Sequence, residues 1–274
     1  MFRIFVLTFT VLVSTATLAQ TAYDPKVAYT QVAGSTIYVV LANDDGSHAV
    51  RLTAGVRNIN GLDLSPSGKQ IAFSDSQGLK VVSFTASDAG IRKDAEQLLV
   101  SNALYGGSAY APDFSFDGGR LVYLTSANTS PNTIRAVTFP GGVQVMAYAC
   151  YLCDAPRWLR PTSAGERFVY SRRPNSATQE IWTALINADG SVTAGIALTT
   201  ASQPFVGIED FDVARTRNAL LITANYPTTI RIVDFDLATG ALTQKAGFGF
   251  RVHYSADDAR IIFRDLQVWV LLNT

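Results

Sequence analysis

A unit recurs along the chain in which a turn rich in Ser, Pro, Asp and Gly leads through a basic or polar residue into an apolar, aromatic run. Leu64-Ser65-Pro66-Ser67-Gly68-Lys69-Gln70-Ile71-Ala72-Phe73 is its clearest copy. Phe114 to Tyr123 and Tyr254 to Phe263 follow in the same register, while Trp158 to Tyr170 carries three extra turn residues and Val213 to Ile222 has lost Pro and Gly. A sixth copy survives as Val27-Ala28-Tyr29. The corresponding positions Tyr29, Phe73, Tyr123, Tyr170, Ile222 and Phe263 lie 44, 50, 47, 52 and 41 residues apart. Helical repeats of that length would show a 3.6-residue period; these runs are short, β-branched and aromatic, so they read as strands. Blades of four short strands repeat every ~40–50 residues. The expected fold class is therefore all-β, a six-bladed β-propeller of four-stranded antiparallel blades with incomplete end blades.

Each unit reads strand by strand. In the second, Leu62-Asp63-Leu64 is the innermost strand, and Ser65-Pro66-Ser67-Gly68 is a turn in which Pro presets φ and Gly accepts a positive one. Ile71-Ala72-Phe73, Leu79 to Phe84 and Gln97 to Val100 complete it. The first unit continues through Thr36-Ile37-Tyr38-Val39-Val40 and Asn43-Asp44-Asp45-Gly46 to His48–Thr53, and the fifth through Thr229–Asp234, Thr239-Gly240 and Ala241-Leu242-Thr243. The last leaves after Val268 to Leu272, and residues 21–26 could supply a missing edge strand.

The first 19 residues have a different character. Met1-Phe2-Arg3 precedes an apolar run from Ile4 to Val13 and a small-residue exit, Ser14 to Ala19. That is the layout of a secretory signal peptide, with cleavage expected after Ala19. The run is short beside the ~20 residues a membrane span needs, and no Cys follows it to carry a lipid. Removing 19 of the 274 residues leaves 255, one propeller domain over 20–274, with blade phases near 27–58, 59–111, 112–153, 154–209, 210–249 and 250–274. The expected location is the periplasm or the medium.

These repeats resemble the TolB-type propeller repeat, a relative of WD-repeat blades found in bacterial periplasmic proteins and in oligopeptidase propellers. The residues that carry the likeness are Leu64 to Phe73 and the stretch from Ile37-Tyr38-Val39-Val40 through Asp45-Gly46-Ser47 to Arg51-Leu52-Thr53. The resemblance spans Val27 to Thr274, leaving no stretch for the N-terminal α/β domain of the protein that names the type. It implies a propeller and not one activity, because such blades host many unrelated roles. By resemblance, a central funnel would be lined by Asp63, Asp113, Arg157, Asp210 and His253, with Tyr110 and Trp158 nearby. These could bind a ligand, or simply cap strand ends and hold water.

Catalytic constellations are scarce. Only His48 and His253 are available to a His-based metal site, although carboxylates from several blades could hold Ca²⁺; no cofactor is expected. The Gly-x-Ser-x-Gly elbow is absent, since Gly106-Gly107-Ser108 lacks the following Gly. No phosphate-cradling or dinucleotide loop is present. With 22 basic and 22 acidic side chains the chain has no net charge, which argues against a nucleic-acid partner. Cys150-Tyr151-Leu152-Cys153 lies between the third and fourth units. After export it is expected as a disulfide closing a four-residue loop, in preference to a redox pair or free thiols. Asn128-Thr129-Ser130 matches a glycosylation acceptor that the bacterial repeat style would leave silent. The leading expectation is a monomeric exported scaffold that binds an envelope protein or peptide, with no catalytic residue, no metal and no membrane span after cleavage. The alternatives are a channel-site enzyme of lactonase, lyase or cyclase type and a small-molecule or carbohydrate sensor.

Overall fold

The computed structural model describes residues 27–43, 47–87, 90–104, 106–127, 131–163, 165–173, 179–199, 206–254, 258–265 and 268–273. The expected signal peptide, the edge strand at 21–26 and the acceptor at 128–130 lie outside them. Six antiparallel sheets follow in chain order. The first holds β1 (Val27–Ala33), β2 (Thr36–Ala42) and β3 (Val50–Arg51). The second holds β4 (Leu62–Leu64), β5 (Gln70–Ser74), β6 (Gly78–Ser87) and β7 (Gly90–Ser101), and the third β8 (Gly107–Phe114), β9 (Arg120–Ala127), β10 (Asn132–Thr138) and β11 (Gln144–Cys150). The fourth is β12 (Cys153–Thr162), β13 (Gly165–Arg172), β14 (Glu180–Ile186) and β15 (Val192–Ala197). The fifth is β16 (Gly207–Val213), β17 (Ala219–Tyr226), β18 (Thr229–Asp236) and β19 (Leu242–Ala246), and the last β20 (Phe250–Tyr254), β21 (Arg260–Asp265) and β22 (Val268–Asn273). Consecutive strands pair within each sheet, and β4, β8, β12, β16 and β20 touch in turn around the centre. This is a β-propeller. Counted as blades it has five, not the six expected. Among the described residues four sheets have four strands and each end sheet three, so dividing the chain by the repeat length counts partial end units as whole ones.

The repeat positions explain the stacking. Phe73, Tyr123, Tyr170, Ile222 and Phe263 are all buried, and Tyr29 is half-buried. The five buried ones each lie on the second strand of their sheet and pack into the layer shared with a neighbouring sheet, while Tyr29 lies on β1. Val39, Leu41 and Leu52 meet Ile71 and Phe73 in one layer, and Ala219, Leu221 and Ile232 meet Val252, Ile261 and Phe263 in another. A full side chain of this kind is worth ~1.5–3 kcal/mol when buried, and both faces of a complete blade collect it. That is why the runs are continuously apolar instead of alternating.

The turn chemistry follows the residues present. Gly68 (φ 65°) donates to the Ser65 carbonyl at 2.9 Å, and Ser65 Oγ accepts the Gln70 amide at 3.1 Å. Ser115, Gly118 and Arg120 repeat the arrangement. In the degraded fifth unit the turn lacks Ser, Pro and Gly, and Asp258 of the next sheet takes the free amides of Arg215 (2.9 Å) and Thr216 (2.5 Å). A neighbour thus supplies the acceptor that the local sequence has lost.

Candidate functional site

The innermost strands converge on a cluster of charged side chains. Register fixes the equivalent positions: Leu64 pairs with Ile71, Phe114 with Leu121, Trp158 with Phe168, Val213 with Leu220 and Tyr254 with Ile261. The residues just before them are Asp63, Asp113, Arg157, Asp212 and His253. Three carboxylates use this position as a latch between sheets. Asp63 Oδ2 accepts the Phe114 amide at 2.7 Å, Asp113 Oδ2 the Trp158 amide at 2.7 Å, and Asp212 Oδ2 the Tyr254 amide at 2.9 Å. A bulge precedes the position in β8, β12, β16 and β20 and re-aims the strand. In β8 and β12 the bulged residues Ala111 (φ 50°) and Ala155 (φ 46°) adopt the left-handed conformation, each just before a Pro. Gly61 (φ 99°) lets the chain entering β4 approach β8, where a Cβ would lie 2.9 Å from Ala111 Cα.

Two guanidinium groups complete the cluster. Arg215, from the turn after β16, crosses the centre to Asp63, its Nη2 3.3 and 3.2 Å from the two carboxylate oxygens and 3.3 Å from the Leu64 carbonyl. Arg157 stands where the other strands carry a carboxylate or His253. Its Nε lies 4.0 Å from Asp113 Oδ1 and 3.9 Å from Asp212 Oδ1, shared between them. His253 Nδ1 is 3.7 Å from Asp212 Oδ2, a charge contact and not a hydrogen bond, and the ring is 42% exposed.

Burial and charge divide the acids. Burial, with the Asp63 charge adding to it, pushes Asp113 up to about 8. Burial also lifts Asp63 above the usual carboxylate range against the pull of Arg215, and lifts Asp210 against His253 and Arg157. On Asp212 burial is the largest single influence, but His253, Arg157 and the Tyr254 amide together hold it below the usual range. Burial likewise opposes charge on His253, and Asp212 and Asp210 outweigh it to raise the imidazole. Near neutral pH the centre therefore contains a proton-bearing Asp113 beside charged Asp212, Arg157 and Arg215. Such a site can hold and exchange a proton. Among the described residues no group of three or more His, Cys, Asp or Glu side chains is arranged to hold a metal ion.

The residues singled out in the sequence part company here. Asp63, Asp113, Arg157 and His253 do meet, with Asp210 half-buried beside them and its Oδ1 accepting the Phe211 amide at 2.9 Å. The strand position itself belongs to Asp212, and the cross-channel cation is Arg215; both were missed. Asp212 was legible, because matching Val213–Ile222 to Leu64–Phe73 sets it opposite Asp63. Arg215 lies in a turn that has lost the repeat signature, so nothing marked it. Trp158 contributes only its backbone amide, since its ring is buried in the layer between the third and fourth sheets. Tyr110 packs in that layer as well, under the influence of Asp154 and Ser126. Cys150 and Cys153 form a disulfide at the junction of β11 and β12, presenting Tyr151 and Leu152 outward.

No protein-family model matches the chain, and no curated protein matches it. Its likeness is to solved structures. TolB from Acinetobacter baumannii is 14% identical, with a TM-score of 0.68 over 92% of this chain and 62% of that one. The chain thus spans under two thirds of that protein's length. A candidate TolB from Agrobacterium tumefaciens is also 14% identical, with a TM-score of 0.57 over 81% of this chain and 79% of that one. A puromycin hydrolase is 15% identical, with a TM-score of 0.55 over 93% of this chain and 46% of that one. At such identities the likeness establishes the propeller fold alone.

Proposed function

We propose that this chain is an exported, TolB-like propeller that works as a binding scaffold for a protein or peptide partner in the bacterial cell envelope. One observation carries the reading. The charged residues at the centre are engaged with one another and with the amides of neighbouring sheets, whereas large apolar side chains stand outward on the connections between sheets. Leu104 is 70% exposed, Tyr151 64% and Val206 55%. In a ring of four-stranded meanders, every connection from an outermost strand to the next innermost strand leaves by the same face, so these side chains share one side of the ring. Apolar groups displayed on one face are a common mark of a docking surface. Export rests on the first 19 residues, and a disulfide suits an oxidising compartment. Among the described residues no helix is long and apolar enough to cross a membrane. The test is cross-linking and affinity capture from envelope extracts. Recovery of a specific partner supports the scaffold; no partner, together with turnover of small substrates, overturns it.

A second reading has one observation in its favour. A proton-bearing Asp113 and the Asp212–His253 contact offer an acid and an imidazole whose affinity for a proton Asp212 raises, within one channel, which a channel-site enzyme of lactonase, lyase or cyclase type would need. Metal analysis and a thermal-shift screen with small substrates separate the two readings, because a ligand that binds only the folded state raises apparent stability.

A further inference from the structure

On the turn side of the ring, away from the connections between sheets, a cleft of about 260 Å³ opens between the third and fourth sheets. Ser115, Phe116 and Asp117 of the turn after β8 form one wall, and Trp158, Leu159 and Pro161 of β12 the other. The Trp158 ring that lines it is 3% exposed, and its Nε1–H is buried with no acceptor. A buried donor without an acceptor is destabilising and rare in folded proteins. The comparison around the ring sharpens the anomaly. The equivalent residues are Leu64, Phe114, Val213 and Tyr254. Three have no polar group, and the Tyr254 hydroxyl accepts from Arg217 at 2.9 Å. Only at this junction does the ring position carry a polar atom without a partner.

We propose that this cleft receives an apolar anchor side chain of an extended peptide from a protein partner, whose backbone carbonyl accepts from Trp158 Nε1. The inference rests on the scaffold reading above and adds to it a second surface, on the opposite side of the ring from the exposed connections, with a partner chemistry of its own. Three features point to a peptide. The volume falls just below the ~300–1,000 Å³ of sites that enclose a whole small molecule, and suits one large side chain used as an anchor. Phe116, Leu159 and Pro161 provide apolar walls. The polar groups are a donor and an acceptor: the Trp158 Nε1–H, buried behind one wall, and on the other wall the Asp117 carboxylate. The Asp117 hydrogen bonds from Ser115 Oγ (2.6 Å) and the Gly119 amide (2.9 Å) both fall on Oδ1. A carbonyl and an amide N–H flanking a side chain are what a peptide unit offers such a pair. Two other charges near the cleft are matched, Glu166 by Arg120 and the Arg160 guanidinium by the Phe116 ring and the Arg215 carbonyl. The indole edge is covered, so an acceptor reaches it when the ring tilts into the cleft that it lines.

The test is an NMR titration of the ¹⁵N-labelled full chain with N-acetyl-phenylalaninamide and N-acetyl-leucinamide. Trp158→Phe assigns the Trp158 indole signal by its loss. The expected result is a saturable downfield shift of that signal with both probes. Trp158→Phe should weaken binding roughly 2- to 12-fold, followed on backbone signals of the cleft, as expected for one neutral hydrogen bond of ~0.5–1.5 kcal/mol. Phe116→Ala should weaken it further, in a protein whose remaining spectrum is unchanged. A Trp158 signal that does not move at the solubility limit of either probe overturns the proposal. So does movement confined to the signals of Trp182 or Trp269. The titration reads the cleft in purified protein, so it can fail while partner capture from extracts succeeds, and the reverse.

Discussion

Removing the Asp63 carboxylate measures what the centre of the ring contributes. Asp63 and Arg215 side chains are each 20% exposed. Asp63→Ala leaves the Phe114 amide without its acceptor, a loss of ~1–3 kcal/mol for a buried donor. It also strands the Arg215 guanidinium. Breaking a fully buried pair costs ~3–5 kcal/mol, and that figure shrinks here because a fifth of each side chain meets solvent and Arg215 keeps the Leu64 carbonyl. Together these give about 3 kcal/mol. Asp63→Asn keeps an oxygen for the Phe114 amide and loses only the charge, so about 1–2 kcal/mol is expected. In the double variant Asp63→Ala/Arg215→Ala no charge is stranded, and the coupling between the two sites should be ~1–2 kcal/mol. The assay is equilibrium urea unfolding at pH 7 followed by tryptophan fluorescence. With a slope of ~3 kcal/mol per molar for a chain of this size, Asp63→Ala should lower the midpoint by about 1 M. An Asp63→Ala cost under about 0.5 kcal/mol would refute the whole account. Asp63→Asn as costly as Asp63→Ala would refute the amide latch, and strict additivity of the double variant would refute the cross-channel pair.

Three further outcomes follow from the same structure. Asp113 titrates at about 8 when folded, against an ordinary value of 3.8, so between those limits the folded state binds the extra proton and stability falls as pH rises, by up to ~1.4 kcal/mol per pH unit. His253, raised above 6.5, adds a loss of the same sign above pH 6.5. Asp113→Asn keeps an acceptor for the Trp158 amide and should flatten the slope between pH 5 and 8; an unchanged slope in urea melts across that range contradicts the buried proton. Replacing both Cys150 and Cys153 by Ser opens a four-residue loop, for which chain entropy predicts a loss of about 2 kcal/mol, read as a lower thermal midpoint with no change in blade packing by circular dichroism. Asp258→Ala should speed hydrogen exchange at the Arg215 and Thr216 amides at least tenfold while leaving the Gly68 turn amide unaffected; equal protection in both proteins would show that the fifth turn stands without its neighbour.

The repeat was legible because stacked blades set the same local demands each time. A turn that reverses the chain within four residues needs Ser, Pro and Gly at fixed places, and a second strand packed on both faces needs an aromatic or β-branched run. Outer strands meet no such demand. Gln97 to Val100 marked only the end of β7, which extends over Gly90–Ser101 and is mostly exposed and polar; its hydrogen bonds to β6 set its length, and hydropathy does not record them. The third strand of the first sheet shrank to Val50–Arg51 for the opposite reason, since a polar turn residue such as His48 can extend an apparent strand on paper. The site failed to read cleanly where bulges intervene. β16 carries acids at both Asp210 and Asp212 beside an irregularity between Ile208 and Asp210, and only aligning Val213–Ile222 with Leu64–Phe73 singles out Asp212. The pairs Ala111-Pro112 and Ala155-Pro156 were the available signal, because each sits one residue before the position that points to the centre.

The cluster also shows why polar residues at the centre of a ring invite a catalytic reading. The centre is where neighbouring strands crowd and where their amides need acceptors, so carboxylates collect there for architectural reasons. Latches join the second sheet to the third, the third to the fourth and the fifth to the sixth. The fourth sheet has Arg157 instead, and a guanidinium cannot accept an amide hydrogen; Val213, which would be latched there, donates to its neighbour Asp212 Oδ1 at 2.9 Å. Arg157 compensates by charge, standing between Asp113 and Asp212. Beside Asp113, which holds a proton near neutral pH, the acids Asp63, Asp210 and Asp212 face the basic side chains of Arg157, Arg215 and His253 in equal number. A centre balanced in this way has little field left to draw in a charged ligand. By that argument recognition belongs to the rim, at the exposed apolar side chains between sheets and at the cleft beside Trp158, where a buried donor still lacks its partner.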